Sequence, residues 1–170
     1  MAGKPSNISQ TAIAIKTELD AELAGAISTN DTAYSATGVM ALDSIGRVLV
    51  GRQLGAIQGQ DLPAIELVPN GAEYVEEIGE QENCWVHTLV LRLSMADTNR
   101  PDGSYTAAEV AFIKLSRTVE VIIAVLEADR YLGASVDYTN ILVVEYPDPD
   151  EEDTQGRTTA EIGVAVRVSA

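Results

Sequence analysis

From Ser9 onward, apolar residues recur at three- and four-residue steps (Ala12, Ile15, Leu19, Leu23), with Lys16, Glu18, Asp20 and Glu22 between them. That period predicts an amphipathic helix over about 9–24, which Gly25 can end. The mixture of Ser, Thr, Asn and Ala that follows predicts a long loop over about 26–44. Ile45-Gly-Arg-Val-Leu-Val50 is a short β-branched run, and the glycines at 51, 55 and 59 then mark a second loop over about 51–61. Leu62-Pro-Ala-Ile-Glu-Leu-Val68 predicts a strand with Pro63 confined to its start or to an edge, and Pro69-Asn-Gly71 predicts a turn.

The clearest strand lies between Cys84 and Met95, where Leu89, Leu91, Leu93 and Met95 alternate with Val90, Arg92 and Ser94. After a turn cluster at Asn99–Gly103, Thr106-Ala-Ala-Glu109 has the spacing of a capping box and opens a long helix over about 106–129. That helix is apolar nearly all round at Val119, Val121, Ile122, Ile123, Val125 and Leu126, which predicts a sheet under it and further cover, from a neighbouring subunit for example, on its far side. Ile141–Tyr146 is again strand-like, 147–157 is an acidic loop, and Ile162, Val164, Val166 and Val168 alternate in a closing strand. The expected architecture is α+β: a mainly antiparallel sheet of four to five strands packed by the long helix and the N-terminal helix, in a single domain spanning 1–170.

Charge narrows the function classes. The 170 residues hold 26 Asp and Glu against 11 Lys and Arg, a formal charge of −15. Phosphate-tracking proteins need clustered Lys and Arg, so a broad basic surface for nucleic acid or an anionic membrane is excluded. Much of the excess is local, at Glu73, Glu76, Glu77, Glu80 and Glu82, and at Asp148, Asp150, Glu151, Glu152 and Asp153. No stretch approaches the length of a membrane span, the N-terminus lacks the apolar core of a signal peptide, and synthesis in the cytoplasm is expected.

The search for chemistry yields no catalytic, cofactor-binding or metal-binding residue. Nucleophile-elbow, phosphate-loop, dinucleotide and zinc-protease motifs are missing. His87, the one histidine, and Cys84, the one cysteine, lie in the strong strand with no second ligand to join them, and both are taken as structural. Asp97–Gly103 fails as a calcium loop, because Pro101 and Asp102 occupy the positions that need a ligand and a glycine. No enzyme is expected.

The order of segments resembles the tail terminator (tail completion) proteins of tailed bacteriophages. The resemblance is carried by the N-terminal amphipathic helix, the Arg47-Val-Leu-Val-Gly-Arg52 run before Leu62-Pro-Ala-Ile-Glu-Leu, and the Leu89–Met95 strand. It continues through the long helix ending Asp129-Arg-Tyr-Leu-Gly133, the Val-rich strand, the acidic loop and the alternating last strand. It implies a virion structural protein that forms a homo-oligomeric, hexameric ring at the head-proximal end of the tail tube. Such a ring stops tail polymerisation and joins the tail to a neck or head-tail connector protein, with a sheath protein as a further partner. DNA then passes through the lumen without sequence-specific binding, no membrane is involved, and the protein resides in the virion neck or tail. Arg47, Arg52 and Arg157 become expected contacts to other subunits or to the tube, and the two acidic segments become expected lumen- or partner-facing surfaces. The long loops leave a neck adaptor or sheath-capping ring as the related alternative, and a small acidic protein-binding module as the unrelated one.

Overall fold

In the computed structural model of the chain, residues 7–35, 40–51, 61–75, 84–96, 102–147 and 157–169 are described. They form two helices and five strands in chain order: α1 (Ile8–Tyr34), β1 (Arg47–Val50), β2 (Ala64–Val75), β3 (Cys84–Ala96), α2 (Ala107–Ala128), β4 (Tyr138–Glu145) and β5 (Arg157–Ser169). The strands form one sheet in the order β1-β2-β3-β5-β4, with β1 parallel to β2 and every other pair antiparallel. The expected α+β architecture is therefore present.

Alternation along each strand decides which face is buried. Leu67, Leu91 and Ile162 stand side by side across three strands, as do Ile65, Leu93 and Ala160, and these rows are sealed under the helices. Ile15, Leu19 and Leu23 of α1 and Leu115, Ile122 and Leu126 of α2 meet them in one continuous core. Each large aliphatic residue so buried contributes about 1.5–3 kcal/mol. The helices lie on the same face of the sheet, α1 over β1 and β2, α2 over β3, β5 and β4. The opposite face is mixed. One row there runs Glu66, Arg92, Glu161, with the Arg92 guanidinium 2.6 Å from Glu161. Gly163 is needed on this face, because a Cβ would sit 2.9 Å from Cγ1 of Val143.

The helix starts follow their sequence signals. Asn7 caps α1 by accepting from the Ser9 N–H, and Thr106 and Glu109 form the full capping box of α2. Three expectations are corrected. First, α1 does not stop at Gly25 but continues to Tyr34, so the expected 26–44 loop is helical over nearly its first half. The reason is tertiary. The buried Arg117 side chain of α2 donates from Nε and Nη2 to Asn30 Oδ1 (3.0 and 2.7 Å) and from Nη2 to Asp31 Oδ1 (2.9 Å), fastening the last turns of α1. Its Nη1 donates to the Met40 carbonyl, so the same side chain anchors the segment that leads to β1.

Second, Pro69-Asn-Gly71 is not a turn. It is an irregularity inside β2, where the pairing with β3 slips between Pro69 and Gly71. β1 pairs only with Ala64–Leu67, so among the described residues Pro69 lies where β2 has no strand on its outer side, the edge position that proline tolerates. Third, the cover on the flank of α2, at Val121 and Val125, comes from α1, which packs beside it. The 51–61 loop and the acidic 147–157 loop fall almost wholly outside the described residues.

Candidate functional site

Neither residue singled out for chemistry is open to a substrate. His87 is buried with Nδ1 2.7 Å from the Thr11 hydroxyl of α1, and burial pulls its pKa down, which favours the neutral ring. Cys84 is buried at the start of β3. Among the described residues, no three His, Cys, Asp or Glu side chains are grouped to hold a metal ion.

The exposed apolar surface is concentrated along β4. The last strand of the chain, β5, inserts between β3 and β4 and leaves β4 at the rim of the sheet. From Tyr138 to Val144 this rim strand has no charged residue and no proline, the two commonest guards of an exposed edge. Tyr138, Leu142, Val143 and Tyr146 expose between 39% and 53% of their surface, as much as ordinary surface residues do. Phe112, at the start of α2, is 54% exposed and stacks obliquely on Tyr146 with ring centroids 5.9 Å apart. Tyr105, also exposed, lines a shallow depression with Phe112. At the start of the strand the Thr139 N–H donates to the Arg130 carbonyl (2.8 Å), and the Arg130 guanidinium lies over the Tyr138 ring, 5.4 Å from its centroid.

The opposite rim differs. Because β1 is only four residues long, β2 is left as the edge from Val68 to Val75 among the described residues. That stretch carries Pro69 and the exposed Glu73, which β4 lacks before Glu145, while each of the two strands has one irregularity, after Pro69 in β2 and at Leu142 in β4.

Three of the expected contact residues can be placed. Arg47 begins β1, with its side chain half exposed and Nε 3.5 Å from Asp61. Arg157 begins β5 opposite Ala96, at the same end of the sheet as Arg47 but several strands away. Glu73 sits towards the other end, opposite Val86. The structure thus separates the two described basic candidates from the described acidic one and does not bring the two arginines together. Arg52, Glu76, Glu77, Glu80, Glu82, Asp148, Asp150, Glu151, Glu152 and Asp153 lie outside the described residues.

Sequence reasoning missed the β4 patch, although Phe112 at an outward helical position and the uncharged run before Glu145 were available signals. It also passed over Arg117, which organises the contact between the helices.

This fold defines the class as a two-layer α+β protein, with both helices on one face of a mixed five-stranded sheet. No protein-family model and no curated protein matches the chain. Among solved structures, it is similar to a chain of the virion of a native gene transfer agent (GTA) particle, at 9% identity and a TM-score of 0.38, over 98% of this chain and 100% of the other. Likeness at that level carries no argument about function.

Proposed function

We propose that the chain is a structural protein of a phage-like virion, a tail terminator whose copies join edge to edge in a ring at the end of the tail tube. The observation that carries this reading is the β4 rim, free of charge and proline from Tyr138 to Val144, with its exposed aromatic and aliphatic side chains. The geometry also supports head-to-tail joining. Tyr138 stands on the same row as Arg167, Val86 and Glu73, and Val143 on the same row as Gly163, Val90 and Val68. The unpaired part of β2 is therefore level with β4 across the sheet and runs antiparallel to it.

Sliding one copy sideways in the plane of the sheet sets its β2 rim against the β4 rim of the next, in antiparallel order. Glu73 of one copy then faces the Tyr138 and Arg130 corner of its neighbour. A contact of two different surfaces is heterologous and closes into a ring when its rotation divides the circle. In such a ring the net charge of −15 repels DNA phosphates from the lumen wall and lets a genome pass without adhesion. A neck adaptor would use the same edges.

The test is the mass of the purified chain in solution, alone and with tail tubes, for the native sequence and for the paired change Leu142→Glu with Val143→Lys. Both positions are exposed enough to keep the fold. A ring or tube cap that forms with the native chain and is lost in the variant supports the reading. A native chain that stays monomeric and never joins tubes refutes it, and a ring that survives in the variant removes β4 from the interface.

A further inference from the structure

A second surface lies on the helix layer, away from both sheet rims. The helices run antiparallel, since Glu18 of α1 feels the charge of Asp129 at the end of α2, while Tyr34 at the end of α1 donates to Glu120 of α2 (3.0 Å). Between their outward faces runs an open groove of about 750 Å³. On α1 it extends from Glu18 to Ala33, a length of about 22 Å at 1.5 Å per residue, enough for roughly four turns of a bound helix. Its buried floor is Val121 and Val125, and small groups, including Gly25, Ala26, Ala124 and Ala128, line its sides. Its rim is acidic, with Glu18, Glu22, Glu120 and Asp129, and no Lys or Arg lines it among the described residues.

Two features of the groove have no explanation within the chain. Gly25 sits in the middle of a 27-residue helix, where glycine costs about 1 kcal/mol relative to alanine, yet a Cβ there would meet nothing within 4 Å. Among the described residues no neighbour occupies the space its side chain would take, so the helix surface at this point is open to the close approach of a partner backbone. The rim carboxylates also oppose one another. Burial, then Asp129, then Glu22 hold the Glu18 carboxyl above its usual range. Glu120 is held by Tyr34 and Asn30, behind which stands the Arg117 guanidinium, whereas Asp129 is held only by the Tyr131 and Gly133 N–H groups, so positive charge is missing at the Glu18, Glu22 and Asp129 end of the rim. The α2 C-terminus adds the negative end of its dipole beside Glu18, Glu22 and Asp129.

The geometry points to this groove as the docking site for a basic amphipathic helix of another protein, with a small-residue stripe facing Gly25 and Lys or Arg flanking it. Charge complementarity selects the occupant. A nucleic acid is repelled by the rim, and a second copy brings a net charge of −15 against it. The inference does not rest on the ring proposed above, because the groove and the sheet rims are different surfaces.

The probe is a synthetic four-turn helical peptide with an Ala stripe flanked by Lys, compared with a peptide of the same composition in which the stripe is scrambled, by calorimetry at low ionic strength. Binding at least tenfold tighter for the striped peptide is expected. Gly25→Met, which fills the groove from an exposed helical position, should abolish that preference while leaving the melting temperature equal or higher. Glu18→Gln with Glu22→Gln should weaken binding at least tenfold, and the charge-matched pair Asp43→Asn with Asp102→Asn, away from both the groove and the sheet rims, should not. Equal binding of the two peptides, or striped-peptide binding that survives Gly25→Met, would reduce the attraction to net charge and overturn the assignment. A change in the mass of the chain alone on Gly25→Met would show that another copy occupies the groove, which also overturns it.

Discussion

Removing the Arg117 guanidinium tests the account of why α1 outruns its sequence signal. The side chain is buried and bonds to Asn30, Asp31 and the Met40 carbonyl, while its guanidinium lies over the Tyr34 ring at 4.5 Å. Arg117→Met keeps much of the aliphatic stem but leaves these oxygens without their donor. Breaking a buried ion pair from one side costs about 3–5 kcal/mol. Asp31 is 28% exposed and still accepts from the Leu42 N–H, so part of its charge regains water and about 3 kcal/mol is expected. For a domain of this size that lowers Tm by about 6–12 °C. Arg117→Lys should recover little, because one ammonium cannot serve acceptors on three sides. Chemical unfolding followed by circular dichroism gives the energy, and amide hydrogen exchange gives its location. Protection should fall first at 26–34, while 8–23 stays near the native level. A loss under about 1 kcal/mol, or unchanged protection at 26–34, would refute the claim that Arg117 holds the second half of α1 in place.

Further outcomes follow from single positions. Gly46→Ala places a Cβ 2.5 Å from the Asp61 carbonyl oxygen, with backbone as the obstacle, so β1 should detach from β2 and the melting temperature should fall; unaltered exchange at Arg47–Val50 would contradict this. Burial lowers the His87 pKa from its ordinary value near 6.5, so below that pH the unfolded chain takes up a proton that the folded chain resists. Stability should therefore fall as the pH drops through about 6.5, and the fall should be shallower in His87→Gln; equal slopes would rule out the imidazole as its source. Thr106→Ala removes the hydroxyl that accepts from the Glu109 N–H and should cost about 1 kcal/mol, read from equilibrium unfolding, while a neutral effect would mean that the α2 cap is idle.

The parts of the fold legible in the sequence are those fixed by local period. The alternation at 89–95 and 162–168 gives both the strands and their buried faces, and Thr106 with Glu109 gives the start of α2. What escaped depends on residues far apart in the chain. Gly25 is a reasonable stop signal on its own, but contacts from Arg117, 86 and 87 positions after Asp31 and Asn30, outweigh it. Pro69-Asn-Gly71 carries turn chemistry, yet β2 continues because β3 pairs on both sides of the irregularity and β1 is already gone from the other edge. The β4 surface was hidden for a related reason. A rim strand is defined by strand order, and the insertion of β5 between β3 and β4 leaves no mark in local composition.

That insertion also sets the timing of folding. β5 is an inner strand, yet it follows every other described element in the chain. The roughly 60 residues between Ala96 and Arg157 take about 3–12 s to be added at ordinary rates of synthesis. Throughout that interval one side of β3 lacks its partner strand β5, and late in it β4 emerges before the strand that joins it to the sheet. A growing polypeptide must therefore hold an apolar, strand-competent edge open until β5 is made, the circumstance in which unpaired edges are most prone to wrong pairing, even though the folded molecule keeps that edge at the centre of its sheet.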